Sequence, residues 1–418
     1  MSEVAQAPQL RFSEFSDEWE AGYLNEFIDS LDAGVSVNST DRQAESNEKC
    51  ILKTSCVSSG VFKLKENKVV LDDDEIQRLK EPLQSNTIII SRMNTPALVG
   101  ANAIVTYSMS NVFLPDRLWA AKINKNYSGK WLGILMSSTK FRAALSARAT
   151  GTSASMKNIT KGDVLSLKIT YPAKPEQQKI AAFLTAVDTK IEQLSNKKAL
   201  LGEYKKGLMQ QIFSQAIRFK ADDGSDFPDW EEKKLGDVCK LQGGYAFKSA
   251  EFQKHGIPII RISNISNNND FIDNRNLVYY NEIKNSDKFI IKNGDLIVAM
   301  SGATTGKSSI YNLIEDAYLN QRVGLFKANN SLLDYGFLIQ IVFSYIFATQ
   351  LDSVLVAGAQ PNVSSKDIEG FEISLPSKIE QNKIANFLSS IDSKIEQVGK
   401  QLDESKQFKK ALLQQMFV

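Results

Sequence analysis

The sequence has few of the residues on which catalysis and metal binding usually depend. Its 418 residues include three cysteines, Cys50, Cys56 and Cys239, and a single histidine, His255. Three cysteines without paired spacing make neither a disulfide framework nor a zinc site, so they indicate a reducing compartment. One histidine argues against histidine-based catalysis and against a multi-histidine metal site. The residues therefore favour a cytoplasmic, non-catalytic protein without a bound metal.

Long hydrophobic runs are also missing. Residues 1–8 do not show the charged segment and apolar run of a secretory signal. The most membrane-like run, residues 335–351, is shorter than the roughly 20 residues that a membrane span needs, and two glutamines interrupt it. We predict a buried helix at this position.

Acidic residues are absent from residues 117–162, although the whole chain is nearly neutral, with a formal net charge of +2. Such segregation of charge predicts a face turned toward a polyanion. The alternative is a neutral surface, with acids from elsewhere, such as residues 72–75, balancing the bases. The basic residues of the stretch are Arg117, Lys122, Lys125, Lys130, Lys140, Arg142, Arg148, Lys157 and Lys161.

What the chain does contain is an internal repeat. Residues 176–213 return as residues 380–417, almost unchanged and without a gap, at a shift of 380 − 176 = 204 positions. The start of each domain is repeated as well, because Trp19 and Trp230 are each followed five residues later by a leucine. The chain thus has the order domain, helix, domain, helix. Between these repeated parts the two domains differ strongly.

Each repeated stretch has the apolar spacing of a long helix with one narrow stripe, interrupted only where Lys198 and Lys205 occupy stripe positions. About 38 residues at 1.5 Å each give a rod of roughly 57 Å. The two copies are each other's obvious partner; the alternative is two separate helices, each packed on its own domain. The predicted helix-pair interface contains Ile180, Leu184, Val187, Ile191, Leu194, Leu201, Leu208, Ile384, Leu388, Ile391, Ile395, Val398, Leu402 and Leu412.

The pattern predicts an α+β protein with boundaries at residues 1–174, 175–216, 217–375 and 376–418. In the first domain we expect strands at 86–91, 103–107 and 164–170 and a helix over 131–147. In the second we expect strands at 257–265 and 371–375, a turn that leads into a strand over 293–300, and the helix over 335–351. Both domains are therefore predicted to be pseudo-repeated α/β units.

Two enzymatic readings of the sequence are weak. Residues 302–308 place glycines before a lysine and a serine, but a phosphate-binding loop has four residues between its glycines and this segment has three. We predict a tight turn between two strands instead. The acidic run 72–75 has no distant partner ligands, so a solvated turn is a better prediction than a metal site.

Polar loops at similar places in the two domains carry the side chains that hydrogen-bond base edges and phosphates. For any one of these residues, a turn-stabilising role is as plausible as a DNA contact, and the set carries the prediction. The candidates in the first domain are Arg92, Asn94, Thr95, Lys140, Arg142, Arg148, Ser153, Lys157 and Asn158. The candidates in the second domain are Lys248, Arg261, Asn264, Thr304, Thr305, Lys307, Gln321, Arg322, Gln360 and Asn362.

The chain resembles the specificity subunits of type I restriction-modification systems along nearly its whole length. The resemblance lies in the two repeated helices, the tryptophan entrances, and the phrases at residues 243–249, 261–265, 293–297 and 320–322. It implies two target recognition domains, separated by an antiparallel coiled coil, that read the halves of a split DNA site. It also implies two methyltransferase subunits with S-adenosylmethionine, and two restriction subunits that use ATP and Mg.

The first domain lacks the phrase found at residues 243–247, so contacts cannot be transferred from one domain to the other. A rod of about 57 Å would span on the order of 17 base pairs. The rival interpretations are a coiled-coil adaptor that binds only proteins, and a nucleotide-hydrolysing enzyme.

Overall fold

The computed structural model describes residues 8–153, 155–265, 270–283, 287–357 and 362–417, and the statements below refer to these ranges. The chain divides into two units. The first unit is Met1–Leu194 with Gln401–Val418, and the second unit is Ser195–Lys400. Each unit therefore contains one domain and a part of both long helices.

The elements of the first domain begin at Glu20. Its strands are β1 (Glu20–Tyr23), β2 (Ile28–Ala33), β3 (Cys50–Leu52), β4 (Asn67–Val69), β5 (Pro82–Leu83), β6 (Thr87–Ser91), β7 (Met93–Asn94), β8 (Asn102–Val105), β9 (Met109–Phe113), β10 (Leu118–Ile123), β11 (Thr150–Ser153), β12 (Met156–Asn158) and β13 (Lys168–Tyr171). Its helices are α1 (Leu24–Phe27), α2 (Asp73–Arg78), α3 (Gly129–Ser137), α4 (Thr139–Ala147) and α5 (Lys161–Leu165), and the long helix α6 (Lys174–Phe213) follows.

The second domain begins at Glu231. Its strands are β14 (Glu231–Lys234), β15 (Cys239–Gly243), β16 (Ile257–Ile260), β17 (Val278–Tyr280), β18 (Ile290–Ile291), β19 (Leu296–Ala299), β20 (Ser308–Ile310), β21 (Ala317–Leu319), β22 (Val323–Ala328) and β23 (Glu372–Leu375). Its helices are α7 (Leu235–Val238), α8 (Tyr335–Val342), α9 (Tyr345–Ala357) and α10 (Ser365–Glu369), and the long helix α11 (Lys378–Gln415) follows.

Both domains have the same sheet topology despite their different sequences. The order β2-β10-β6-β8 in the first domain corresponds to β15-β22-β19-β20 in the second. A second sheet, β4-β3-β9-β5, corresponds to β17-β16-β21-β18, and each contains one parallel pair. Only the first domain, in the described residues, adds a small sheet of β11, β12 and β7. The predicted α+β class and the repeated domain plan are confirmed.

The apolar run of β6 explains why this strand is central. All five residues are buried, and successive side chains of a strand point to opposite faces. Ile88 and Ile90 therefore pack into the core beneath α3 and α4, whereas Ile89 packs into the core of the second sheet. In β19, Val298 and Ile297 divide between two cores in the same way.

The long helices run antiparallel within each unit. In the first unit, Leu184 near the start of α6 shares a core with Leu412 near the end of α11. In the second unit, Ile212 near the end of α6 shares a core with Ile384 near the start of α11. The predicted pairing of the two repeated helices is therefore present in each unit.

Several predicted elements have different boundaries in the structure. The run 335–351 forms α8 and α9, which meet at an angle of 54°. In the described residues no single helix is both long and apolar enough to cross a membrane, and only this bent pair reaches the required length and composition. The predicted strand 164–170 was wrong in its first half, because residues 161–165 form α5. The acidic run 72–75 is the start of α2, with Asp72 as its N-cap, rather than a turn.

Candidate nucleic-acid interface

The polar loops of the first domain meet at one end of its central sheet. Backbone hydrogen bonds join Arg92 N to Arg117 O at 3.0 Å and Ile159 N to Arg92 O at 3.0 Å. The loop that begins at Arg92 closes where Gly100 N donates to Ser91 O at 2.7 Å. We call this surface, formed by the loop 92–100 with Arg117 and Asn158, the first edge.

The second domain repeats these bonds with other residues. Met300 N donates to Arg322 O at 2.9 Å, Val363 N donates to Met300 O at 3.0 Å, and Gly306 N donates to Ala299 O at 2.7 Å. Gly100 and Gly306 both have positive φ, +73° and +79°. Both glycines also lie against a leucine side chain that an added Cβ would strike. The loop 300–307 with Gln321, Arg322 and Asn362 is called the second edge.

Four of the predicted residues occupy the first edge itself. Arg92 places its guanidinium 5.7 Å from the centre of the Trp119 ring, and its buried Nε has no hydrogen-bond partner among the described residues. Asn94 donates to Ser91 Oγ at 3.2 Å and accepts from Thr95 N, whose own side chain is exposed. Asn158 also keeps a buried oxygen without a partner in the described part. Buried polar atoms left unpaired are rare, so they mark places where a ligand can complete the bonding.

Other predicted residues of the first domain support the edge from behind. Arg142 donates to Ala97 O at 3.2 Å, and burial lowers the pKa of this guanidinium. Arg148 donates to Asp163 O and Ser166 Oγ, which ties it to the end of α5. Lys157 donates to Gly151 O at 3.4 Å, while Lys140 is exposed on α4. The side chain of Ser153 lies outside the described residues.

In the second edge, Lys307, Gln321, Arg322 and Asn362 are exposed, and Asn362 forms a bridge with Ser301. The hydroxyls of two threonines hold loops instead, because Thr304 donates to Ile262 O and Thr305 donates to Gly302 O. Lys248 is outside the loop that defines this edge and pairs with Glu251 at 3.3 Å. Gln360 lies outside the described residues.

Two predicted residues sit below the second edge. Asn264 is buried, accepts from Arg261 N at 3.1 Å and donates to Asp273 O at 3.1 Å. Its amide is used inside the protein, so a base contact from Asn264 does not fit this structure. Arg261 donates to Asn276 O at 3.0 Å and keeps a buried Nε without a partner among the described residues.

Arg117 lies at the first edge but is not among the DNA-binding candidates predicted from the sequence. Its carbonyl has the same bond to the edge loop as the carbonyl of Arg322, and both arginines immediately precede the central strand, β10 or β22. Both side chains are exposed. The shared context of an arginine followed by the apolar strand was the signal available in the sequence.

Residues 117–162 include no acidic residue, but acidic residues from other segments of the chain contact this stretch in the structure. Lys122 pairs with Asp32 at 2.9 Å and with Glu81 at 3.2 Å. The side-chain hydrogen bond to Asp32 raises the pKa of Lys122. The alternative of partial neutralisation therefore applies to Lys122. Arg117 at the first edge and Lys140 on α4 form no ion pair among the described residues, so they keep their positive charge.

The repeated helix motif fastens each domain to its helix. Glu176 is almost fully buried, accepts from Arg11 at 2.8 and 2.7 Å, and accepts from Trp19 Nε1 at 3.3 Å. In the second unit, Glu380 accepts from Arg218 Nη2 at 2.9 Å and from Trp230 Nε1 at 3.1 Å.

The next residue in each motif makes a second joint. Gln177 accepts a hydrogen bond from Ser128 N at 2.9 Å, and Gln381 accepts one from Asp334 N at 2.7 Å. Ser128 is the N-cap residue of α3, and Asp334 is the N-cap residue of α8. The repeat in the sequence thus encodes the same attachment twice.

The predicted helix-pair residues are all buried or half-buried. The buried ones are Ile180, Leu184, Leu194, Ile384, Leu388, Ile391, Val398, Leu402 and Leu412, and the half-buried ones are Val187, Ile191, Leu201, Leu208 and Ile395. Of the two lysines at stripe positions, Lys198 is exposed, whereas Lys205 is buried and pairs with Asp392 at 2.6 Å.

The loop after β19 is the tight turn between two strands that the sequence predicts. Its N–H groups are used internally, since Thr305 N donates to Gly302 O and Lys307 N donates to Thr304 O. Such a loop cannot present those N–H groups to a phosphate. In the described residues there is also no group of three or more His, Cys, Asp or Glu side chains that could hold a metal ion.

Two copies of one α/β frame, each carrying unlike polar loops at a matching sheet end and each fastened to a long helix, define a modular recognition protein. The comparison with known proteins agrees. The family model of the type I restriction modification DNA specificity domain matches residues 16–202 and 228–404. The chain therefore belongs to this family: it is a non-catalytic type I specificity subunit with two target recognition domains.

One relative and two solved structures match this chain over nearly its whole length. The type I restriction enzyme MjaVIII specificity subunit of Methanocaldococcus jannaschii is 24% identical over 412 residues, which cover 95% of this chain and 91% of that protein. The crystal structure of the type I restriction-modification S subunit from M. genitalium matches the fold with a TM-score of 0.65 at 17% identity, over 99% of both chains. A structure from work on type I complex assembly matches with a TM-score of 0.52 at 18% identity, over 96% of this chain and 97% of that one.

Proposed function

We propose that each target recognition domain reads one half of a bipartite site in double-stranded DNA, and that the long helices set the spacer between the halves. The helices also dock two methyltransferase subunits, and two restriction subunits join the full complex. In this assembly S-adenosylmethionine, ATP and Mg belong to the partner subunits, and the complex works in the cytoplasm.

The observation that carries the proposal is the pair of equivalent edges. The same three backbone bonds hold the loops at Arg92 and at Met300, although the loops differ in sequence. A like frame presents both loops in the same way to the same kind of ligand, and unlike side chains give each loop a different base preference. The edge residues proposed to contact DNA therefore include Arg117 and exclude Asn264. Arg142 and Arg148 support their loops.

An exchange of one domain tests the modular reading. Residues 218–374 are replaced by the corresponding domain of another specificity subunit, and the methylated adenines are sequenced in a host that carries this chain with its methyltransferase. We expect one half of the methylated site to change, while the other half serves as the internal control. A change in both halves contradicts separate reading.

Helix length and salt give two further tests. Insertion of seven residues at corresponding positions of α6 and α11 preserves the heptad pattern and should lengthen the spacer. An unchanged spacer contradicts the role of the helices. Duplex binding should weaken steeply as salt rises, because phosphate contacts release counterions. A protein-only adaptor would bind its partner without duplex DNA.

A further inference from the structure

The second domain presents a group of four contiguous aromatic rings, Tyr245, Phe247, Tyr280 and Phe289, that we call the aromatic shelf. The ring centres of Tyr245 and Phe247 are 5.0 Å apart, those of Tyr245 and Phe289 are 5.3 Å apart, and those of Phe247 and Tyr280 are 5.0 Å apart. Tyr245 is exposed and the other three are half-buried. Below them, the buried ring of Tyr318 lies 5.4 Å from Phe247. The shelf therefore leaves part of an aromatic cluster, chiefly the ring of Tyr245, accessible to solvent.

The shelf is held rigidly beside the second edge. Tyr245 N donates to Leu319 O at 2.8 Å, and Gln321 N donates to Tyr245 O at 2.8 Å. The preceding residue, Gly244, approaches this backbone so closely that an added Cβ would lie 2.1 Å from Leu319 O. The backbone that carries the exposed ring is therefore held beside that of Gln321, which precedes Arg322, and the proposed function assigns both residues to DNA.

Two lysines lie beside the rings. The Lys288 ammonium lies 5.0 Å from the centre of the Phe289 ring, and Lys248 directly follows Phe247. Acids lie near both lysines, because Glu251 accepts a hydrogen bond from Tyr280 and pairs with Lys248, and Asp287 directly precedes Lys288. That hydrogen bond raises the pKa of Tyr280 to about 12. Aromatic rings combined with lysines are suited to a nucleotide, whose base stacks while its phosphate meets a cation.

The first domain has the same backbone approach without the ring. Gly34 occupies the position in the first domain that Gly244 occupies in the second. A Cβ added to Gly34 would lie 1.6 Å from Leu114 O. Leu114 comes two residues before Asp116, just as Leu319 comes two residues before Gln321. The residue after Gly34 is Val35, so this position carries no aromatic ring. The shelf is thus a property of the second domain alone.

We propose that the aromatic shelf stacks against a nucleobase displaced from the duplex beside the second half-site, with Tyr245 as the contacting ring. This inference rests on the proposed function. In an intact duplex the flat faces of the bases cover one another, so a ring face can receive a base only after that base has left the stack. Displacement costs less at a mismatched pair, and this difference makes the proposal testable.

The test uses the full chain assembled with its methyltransferase, and duplexes that contain the methylated site. One set is fully paired, and each duplex of the other set has one mismatch in or next to the second half-site, at positions other than the methylated adenine, because a methyltransferase displaces its own target base. For the unaltered protein we expect about tenfold tighter binding when the mismatch falls at one position, in line with the strength of base stacking on an aromatic ring. Tyr245→Phe should keep this preference, and Tyr245→Ala should abolish it.

Tyr345→Ala is the matched control, because Tyr345 lies in the same domain and is 40% exposed against 39% for Tyr245. It should leave the mismatch preference unchanged, and thermal unfolding should confirm that all variants fold. An equal preference in Tyr245→Ala and the unaltered protein overturns the inference. So does a Tyr245→Ala variant that loses its methyltransferase but keeps the preference, because the shelf would then be a protein-binding surface.

The proposed function and the shelf fail in different ways. If the unaltered complex shows no salt-sensitive binding to its methylated site, the proposed function fails. If it binds and methylates that site with no mismatch preference at any position, only the shelf is refuted.

Discussion

Lys205 Nζ lies 2.6 Å from Asp392 Oδ1 and joins the two long helices inside the second unit. The other oxygen of Asp392 accepts from Gln340 Nε2 at 3.1 Å, so α8 takes part in the same network. The first unit repeats the ion pair 204 positions away, where Lys409 lies 2.5 Å from Asp188. Lysines at these positions interrupt an otherwise apolar stripe, and polar groups in such seams commonly fix helix register.

The two ion pairs should differ in strength because they differ in burial. The Lys205 side chain is 11% exposed and that of Lys409 is 29% exposed. Asp392→Ala removes the ion-pair partner of this buried ammonium and should cost about 2–3 kcal/mol of unfolding free energy. Asp188→Ala, the matched control, should cost about 0–1 kcal/mol. Urea unfolding of the full chain measures both, and equal losses would contradict the assigned difference.

Glu380 should contribute more to stability than an exposed glutamate of the same helix. Its buried carboxylate accepts from Arg218 and Trp230, so Glu380→Ala strands two donors and should cost about 2–4 kcal/mol. Glu396→Ala, at an exposed position of α11, is the control and should change stability by less than about 0.5 kcal/mol. Thermal unfolding of both variants gives the comparison, and similar losses would show that the joint is unimportant.

Repetition made the frame predictable from the sequence. The shift of 204 residues and the heptad spacing identified both long helices and their stripe, because a repeat needs no knowledge of the partner surface. Short local signals were less informative. The sequence did not predict the break between α8 and α9 at Phe343 and Ser344. Both helices are apolar, and the spacing of their apolar residues does not indicate a bend.

The individual edge residues could not be assigned from the sequence because tertiary contacts decide how each polar side chain is used. Asn264 and Asn362 look alike in sequence, yet Asn264 is buried in its own turn and Asn362 is exposed. Arg117 could not be placed at the edge from the sequence, because the bond between its carbonyl and Arg92 N joins residues that are distant in the chain. Glu176 and Glu380 could be recognised in the sequence as repeated residues. Their hydrogen bonds to arginine and tryptophan could be identified only from the structure.

Gly244 and Gly243 give a neighbouring pair of substitutions with opposite expected results. An added Cβ at Gly244 would lie 2.1 Å from Leu319 O and 2.3 Å from Asn320 O, whereas one at Gly243 meets nothing within 4 Å. Gly244→Ala must therefore push the backbone of the second edge apart, and it should lower both the melting temperature and duplex affinity. Gly243→Ala should leave both nearly unchanged. Calorimetry and duplex titration test this, and a neutral Gly244→Ala would contradict the close approach.

The three cysteines should be slow to react in the folded protein. Cys50, Cys56 and Cys239 are buried, and burial raises their thiol pKa to about 11, 12 and 12. A raised pKa lowers the thiolate fraction at pH 8, and the thiolate is the reactive form. A colorimetric thiol reagent should therefore label none quickly in buffer and all three in concentrated urea. Fast labelling of the native chain would place at least one thiol at the surface.

Arg117 and Arg322 should act on different halves of the DNA site. They hold equivalent places at the two edges, so Arg117→Ala should weaken recognition of one half and Arg322→Ala that of the other, each by about 1–3 kcal/mol if the side chain contacts a base. Lys197→Ala, at an exposed position of α6, is the control for loss of one positive charge. The measurement is competition between the methylated duplex and duplexes altered in one half.

If an arginine contacts only phosphate, its removal should weaken binding to all duplexes alike and reduce the salt slope by about 1. Loss of discrimination in the same half for both variants would contradict the assignment of one edge to each half-site.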